Sequence, residues 1–207
     1  MFFNKGSKES SIATRKKNWS SKEVMLLVAL GSVFGVIYYA FVQLFFVLQI
    51  LLGPYADLSQ HILFGAWLMV APIALAILKR PLAGVFAELL AALIEVIVLA
   101  SPFGARVIIS ALIQGASSES AFTLTRYRKD NLFVFMLSGF FGGLFPFFYS
   151  ALINDWFSTD LFYLRLILQL ISGVLIGGLA AKLLTDALIK TGVLDNFIHV
   201  EQKNNAS

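Results

Sequence analysis

The chain has 207 residues, of which 58% are hydrophobic and only 14% are charged, whereas soluble domains average about 45–50% apolar and about 25% charged residues. This composition excludes an ordinary soluble domain and indicates a multi-pass protein of the cell membrane. The absence of cysteine excludes a disulfide framework and a thiolate metal site. The net charge of +4 is unevenly distributed, since six of the 16 basic residues lie within the first 22 positions.

The apolar pattern divides the chain into three parts. Residues 1–20 are polar and basic, and we expect them to form a cytoplasmic N-terminal tail. Residues 21–190 carry the apolar runs and are predicted to form an all-α bundle of six transmembrane helices. Residues 191–207 are predicted to form a cytoplasmic C-terminal tail.

The six predicted spans are at about 22–52, 60–78, 81–99, 103–127, 131–153 and 159–189. The first is long enough to require tilt or a break near 43–49. Ser20 or Ser21 is placed to cap it, with Glu23 in its first turn. Gly31 and Gly35 form a small-xxx-small pair, which can pack within this bundle or against a partner protein.

Local signals also predict how the later spans begin and bend. Ser59 is placed to cap the second span. Ser101 and Pro102 provide an N-cap and a first-turn proline for the fourth span. The Gly-Gly-x-x-Pro sequence at 142–146 predicts an interruption of the fifth span.

Basic residues are distributed unequally between the two sides of this arrangement. With six spans, one side holds 14 of the 16 Lys and Arg residues, and the other holds only Arg106 and Arg165. The positive-inside rule therefore predicts that both termini are cytoplasmic.

The third span, PLAGVFAELLAALIEVIVL, carries two carboxylates and no basic residue. Its 19 residues make about 28 Å of helix, close to the hydrocarbon thickness of a bilayer. Glu88 and Glu95 share one face about 10 Å apart along the axis, while Phe86 and Ile97 fall on the opposite, lipid side. Because unpaired carboxylates in a membrane are costly, the pair predicts a functional site, and a structural role as acceptors for a neighbouring helix stays open for each.

Motifs for phosphate binding and for several hydrolytic mechanisms are missing from the sequence. It contains no GxxxxGK[ST], GxGxxG, HExxH or GxSxG. An ATP-driven process therefore needs another subunit. His61 and His199 are the only histidines, which disfavours a histidine-based metal or nucleophile site, and His61 is interpreted as a wet interface residue. We predict neither enzyme activity nor a cofactor.

Four runs of sequence carry a likeness to a known family. They are KRPLAGVFAELLAALIEVIVLASPFGARV at 79–107, GPYADL at 53–58, FGAWLMVAPIAL at 64–75 and LIQGASSESAFTLTRYRK at 112–129. With these runs, residues 20–190 resemble the YkoE family, and the acidic third helix with its SPxG exit is the most specific part. Members of this family are substrate-capture (S) components of energy-coupling factor (ECF) transporters, associated with thiamin and its hydroxymethylpyrimidine precursor.

The resemblance implies a six-helix S component that holds its vitamin near the extracellular side, beneath the loop after the first helix. It implies high-affinity binding of thiamin or hydroxymethylpyrimidine within an ATP-driven vitamin importer. The implied partners are a transmembrane coupling (T) subunit, two ABC-type ATPase subunits and the lipid bilayer, with no nucleic acid.

Three alternatives remain open at this stage. The chain could be an S component for another vitamin, or a stand-alone proton-coupled carrier in which the acids relay protons. It could also be an intramembrane enzyme that uses Glu88 and Glu95 as acid and base. The separation of about 10 Å between these residues and the lack of a nucleophile disfavour the enzyme.

The chemistry of thiamin selects the candidate site residues. Its thiazolium ring is a permanent cation and its aminopyrimidine forms hydrogen bonds, so a pocket needs a carboxylate, aromatic faces and an amide or hydroxyl. Glu95, Trp67 and Gln114 lie at compatible depths for such a pocket. The further candidates are Glu88, Glu119, Tyr38 and Asn154. Glu119 ranks below the other acids, because it can instead pair with a basic residue at the inner interface or face the coupling subunit.

Overall fold

The computed structural model describes residues 19–194, and every regular element in that range is helical. The all-α prediction is therefore confirmed. The predicted tails at 1–20 and 191–207 lie almost wholly outside the described residues. The α-helices in this range are α1 Ser21–Leu52, α2 Leu58–Leu63, α3 Val70–Leu78, α4 Ala83–Leu93, α5 Arg106–Leu124, α6 Leu132–Ile153, α7 Phe162–Ser172 and α8 Ala181–Lys190.

Irregular helical segments connect or extend several of these helices. A 3₁₀ segment at Phe64–Leu68 lies between α2 and α3, and a π segment at Gly173–Ala180 joins α7 to α8. A second π segment, Ile94–Val98, extends α4. Residues 58–78 and 162–190 consequently each run as one long helical segment.

Five described segments are long and apolar enough to cross a membrane: Ser21–Tyr55, Leu58–Leu78, Arg106–Leu124, Leu132–Ile153 and Phe162–Lys190. The predicted third span is shorter than expected, because Leu82 adopts a left-handed conformation with φ of 68° and α4 begins only at Ala83. Its α and π parts have 11 and 5 residues, or about 24 Å at helical rise. The count of six spans and the cytoplasmic position of both termini stay predictions.

The start of α1 follows the prediction from its sequence. The Ser20 hydroxyl accepts a hydrogen bond from the Glu23 N–H at 3.3 Å, and the Glu23 carboxylate accepts one from the Ser20 N–H at 2.7 Å. This reciprocal pair is a capping box, which satisfies two donors that the helix itself cannot. From there α1 runs unbroken to Leu52, so no break occurs near 43–49.

Predictions for the starts of two later spans are wrong. Ser59 is not a cap, since α2 begins at Leu58 and the Ser59 hydroxyl instead donates to the Ala56 carbonyl at 2.6 Å. Ser101 and Pro102 do not start the fourth span, because α5 begins at Arg106 after an intervening turn.

The predicted interruption of the fifth span is also wrong, since α6 is continuous through Pro146. The glycines before this proline serve close packing rather than a break. A Cβ at Gly142 would lie 2.4 Å from the Ser118 hydroxyl, and one at Gly143 would lie 3.2 Å from the Gln169 carbonyl. Helix α6 packs against α5 and α7.

Helix α3 is the centre of the bundle. All nine of its residues are buried, and it contacts α1, α4, α5 and α8. A helix that is apolar on all sides is typical of a protein core or of a membrane span, and here the other helices surround it. Because α3 occupies the middle of the bundle, its position determines where the helices around it can place their polar side chains.

Gly31 and Gly35 pack within the bundle, against α4 and its π extension. A Cβ at Gly31 would lie 2.5 Å from the Leu90 Cβ, and one at Gly35 would lie 2.6 Å from the Ile94 Cβ. A real Cβ could not lie so close to another atom. The helices can therefore approach this closely only because both residues are glycine. Of the two predicted roles, this close approach of α1 to α4 is the one that the structure supports.

We predict that Gly35→Val destabilises the protein by about 1–3 kcal/mol, because added methyl groups must force α1 away from α4. Thermal unfolding of the purified protein in detergent measures the effect. Val36→Leu is the matched control, since Val36 is 57% exposed on the same helix and its replacement should leave the midpoint unchanged. An unchanged midpoint for Gly35→Val would contradict this packing.

Candidate functional site

A cavity of about 780 Å³ lies between α1, the α2–α3 segment, α4, α5 and α6. This volume falls within the range of about 300–1,000 Å³ that is typical of sites for small organic ligands. Six of the seven predicted site residues line it: Tyr38, Trp67, Glu88, Glu95, Gln114 and Asn154. Their participation in binding stays a prediction, but the fold does bring them to one cavity.

Glu95 lies in the π segment that extends α4, and its side chain is fully buried. Its Oε1 accepts a hydrogen bond from the Ser101 hydroxyl at 2.7 Å. The Ser101 N–H also donates to the Glu95 carbonyl at 3.0 Å, so the turn after the π segment folds back over this residue. Glu95 Oε2 is buried and has no hydrogen-bond partner within residues 19–194.

Glu88 is also fully buried, but both of its oxygens are in use. Its Oε2 accepts a hydrogen bond from the Tyr38 hydroxyl at 3.0 Å, and its Oε1 accepts one from the Ala71 N–H at 3.3 Å. The Tyr38 oxygen in turn accepts from the Val70 N–H at 3.3 Å. The first N–H groups of a helix lack intrahelical acceptors, so Tyr38 and Glu88 together cap the start of α3.

One face of α5 forms a polar wall of the cavity. Arg106, Ser110 and Gln114 all line it, and their spacing of four residues places them on a single helical stripe. The Gln114 side-chain amide donates to the Ser110 hydroxyl at 2.9 Å. Ser117, three residues beyond Gln114, instead donates to the Ile113 carbonyl at 2.5 Å and does not line the cavity.

Aromatic side chains form much of the remaining wall. Trp67 lies in the 3₁₀ segment, and its ring meets Phe41 edge to face at 6.3 Å between centroids. Phe45 and Phe103 form a similar pair at 5.4 Å. Asn154 ends α6 at the exposed rim, where its amide donates to the Ser150 carbonyl at 2.8 Å.

Glu119 does not line this cavity. It lies near the other end of α5, where its Oε1 accepts hydrogen bonds from the Leu82 N–H at 2.5 Å and from the Tyr127 hydroxyl at 2.8 Å. Leu82 directly precedes α4, so Glu119 supports the left-handed turn that starts this helix. Its Oε2, like that of Glu95, is buried without a hydrogen-bond partner in residues 19–194, so Glu119 differs from Glu95 by its position outside this cavity.

The sequence had suggested that His61 is a hydrated residue at the membrane interface, and this prediction is wrong. Its side chain is fully buried, and its Nδ1 lies 2.7 Å from the Gln169 Oε1. Its ring meets Trp156 edge to face at 4.9 Å between centroids. The error arises because Gln169 and Trp156 come from distant parts of the chain, which local pattern does not reveal.

The cavity wall also includes Arg106, Phe45 and Phe103, which were not predicted as site residues from the sequence. In the sequence, Phe45 and Phe103 look like the many other phenylalanines that can face lipid, and no sequence pattern marks them as cavity residues. Arg106 carried a usable signal, since it is one of only two basic residues on its predicted side of the membrane.

Comparisons with known proteins agree with this architecture. Residues 22–145 match the family described as ABC-type cobalt transport system, permease component. The chain is 33% identical over 181 residues to HMP/thiamine permease protein YkoE of Bacillus subtilis (strain 168), covering 86% of this chain and 89% of that relative. A crystal structure of an S component of an ECF transporter superposes with a TM-score of 0.81 at 29% identity, covering 91% of this chain and 95% of the other.

These relatives are transporter components of the membrane and not enzymes. The sequence identity, the coverage and the superposition all extend over nearly the whole bundle. The chain therefore belongs to the YkoE family of ECF-transporter S components and is a multi-pass membrane protein.

Proposed function

We propose that this S component binds thiamin or its hydroxymethylpyrimidine precursor in the cavity between α1, α4 and α5. The observation that carries the proposal is Glu95, a residue of the cavity wall whose buried Oε2 has no hydrogen-bond partner in residues 19–194. A buried carboxylate oxygen without a partner is unfavourable, so a ligand that supplies a cation or an N–H donor gains by meeting it.

The other cavity residues complement the remaining parts of such a ligand. The Trp67 ring offers a face for stacking and for attraction of a thiazolium cation. The Gln114 amide can pair with nitrogen atoms of the aminopyrimidine, since an amide both donates and accepts hydrogen bonds. The relative from Bacillus subtilis carries HMP and thiamine in its name, which supports this choice of ligand class.

The two cavity acids differ in what they can offer. Glu88 already accepts hydrogen bonds at both oxygens, from Tyr38 and from the start of α3. Glu95 uses only one oxygen, toward Ser101. We therefore assign ligand binding chiefly to Glu95 and support of the bundle chiefly to Glu88.

Transport in this proposal needs other subunits. The sequence has no phosphate-binding motif, so a T subunit and two ABC-type ATPases would supply the energy for uptake. The S component would capture the ligand and present it to them. Its affiliation with ECF S components is the ground for naming these partners.

We predict that Glu95→Gln weakens thiamin binding at least tenfold. Hydrogen bonds to a charged group contribute about 1.5–3 kcal/mol, against about 1 kcal/mol for a neutral pair, and Gln removes the charge while keeping the shape. Calorimetry on the purified full chain measures the dissociation constant. Tryptophan fluorescence quenching, if it is lost in Trp67→Ala, reports contact at the same site.

Glu119→Gln is the matched control for this experiment. It makes the same substitution at a buried acid outside the cavity, so it should leave thiamin affinity unchanged. Wild-type affinity in Glu95→Gln, together with loss of binding in Glu119→Gln, would place the site elsewhere. Binding of a different vitamin, with no binding of thiamin or hydroxymethylpyrimidine, would overturn the ligand assignment.

A second prediction separates support of the bundle from ligand binding. Tyr38→Phe removes the donor to Glu88 and should lower stability by about 1–3 kcal/mol, because a buried carboxylate oxygen loses its partner. Thermal unfolding without ligand measures this. Tyr39→Phe, at the adjacent and less buried position, is the control and should have little effect. Equal midpoints for both variants would contradict the capping role.

The partner requirement makes a third prediction. Liposomes that contain only this chain, under an imposed proton gradient, should bind thiamin but should not accumulate it, since no ATPase is present to drive uptake. Uptake of labelled thiamin measures this, with protein-free liposomes as the control. Uphill uptake driven by a proton gradient would favour the stand-alone carrier instead.

A further inference from the structure

Arg106 is the one basic residue among the described residues that line the cavity. No contact among the described residues assigns it a role in stabilising the fold. Its side chain is exposed, lines the cavity and forms no ion pair within residues 19–194. At the same end of the bundle, Arg165 donates to Asp57 and to Thr159 at 2.5 Å each. Of the two basic residues on this side, Arg165 is thus engaged and Arg106 faces the cavity.

Helix stability does not explain Arg106 either. It is the first residue of α5, whose N-cap Ala105 makes no side-chain hydrogen bond and whose first turn holds no acid. The N-terminal end of a helix dipole is positive and disfavours a cation there. A neutral or acidic residue would suit this position better, so the choice of arginine favours a role toward something that enters the cavity.

The charges in the cavity are ordered by depth. Arg106 begins α5 just after the turn that ends the α4 region, and Glu95 lies near the same end in the π segment. Glu88 lies seven residues earlier, about 10 Å deeper at helical rise. Gln114 lies eight residues beyond Arg106, about 12 Å deeper. A ligand would therefore meet Arg106 and Glu95 near one end of the cavity, and Glu88 and Gln114 further in.

This order suits a ligand with an anionic group at one end and a cation or an amine further along the molecule. A purely cationic ligand gains nothing from Arg106, since like charges repel. A phosphate ester on the tail of the same ligand would meet the guanidinium, which matches phosphate geometry with paired donors. The cationic or amine-bearing end would still reach Glu95.

We propose that Arg106 is a specificity-determining residue that extends the ligand range of this cavity to phosphomonoesters, with the phosphate held at the mouth and the ring system held deeper. This inference rests on the proposed function, because it uses Glu95 as the partner of the other end of the ligand.

The experiment compares thiamin with thiamin monophosphate on the purified full chain, by calorimetry in detergent without phospholipid and in phosphate-free buffer. Wild type should bind the monophosphate at least as tightly as thiamin. Arg106→Gln should weaken monophosphate binding at least tenfold while changing thiamin binding less than threefold. Arg106→Lys should retain much of the wild-type affinity for the monophosphate, because lysine keeps the positive charge.

Arg128→Gln is the matched control. It removes the same charge from an exposed position outside the cavity, and both affinities should stay at the wild-type value. The inference is overturned if wild type binds thiamin but binds the monophosphate tenfold less tightly, or if Arg106→Gln changes both affinities by the same factor. Failure of wild type to bind either compound overturns the proposed function, and this inference with it.

Discussion

The whole arrangement depends on how the bundle accommodates the two carboxylates of α4 and its π extension among apolar helices. A carboxylate inside a membrane is strongly unfavourable unless donors or a cation accompany it. Glu88 meets this requirement with the Tyr38 hydroxyl and with an N–H at the start of α3. Glu95 meets it only in part, through the Ser101 hydroxyl. The difference between the two acids is what separates support of the fold from capacity to bind.

Departures from regular α-helix make this accommodation possible. The 3₁₀ segment Phe64–Leu68 precedes α3, where backbone N–H groups turn to side-chain acceptors. The π segment Ile94–Val98 carries Glu95 and leads into the turn that supplies Ser101. Irregular backbone at membrane depth is tolerated where protein or a cavity surrounds it, and π segments often mark functional sites. Both segments here border the same cavity.

Glycine permits the close helix contacts that surround these irregular segments. A Cβ at Gly65 would lie 2.0 Å from the Ser172 carbonyl oxygen, and one at Gly139 would lie 2.0 Å from that of Gly173. The Ser172 hydroxyl also accepts from the Gly65 N–H at 2.9 Å and donates to the Ile62 carbonyl at 2.6 Å. The α2–α3 segment is thus held against the π segment Gly173–Ala180 by backbone contact and by one bridging hydroxyl.

Local sequence pattern was sufficient to predict a large part of the fold. Apolar composition determined the membrane class, and run lengths placed the helices to within a few residues, because helix formation in a bilayer follows from segment hydropathy alone. Helical periodicity placed Glu88 and Glu95 on one face, and both line one cavity. The Ser20–Glu23 capping box was also evident, since its partners are three residues apart.

Only the tertiary structure decided which groups meet across the bundle. Tyr38 reaches Glu88 from 50 residues away, and His61 reaches Gln169 from 108 residues away. The sequence ranked Glu119 below the other acids but did not identify its partner, and packing of α5 against α4 places it at the Leu82 N–H. Hydrogen bonds form only within about 3 Å, a distance that depends on the relative placement of whole helices. The amino-acid sequence therefore determined that the acids exist and share a face, and the packing of distant helices decided which of their oxygens remain available.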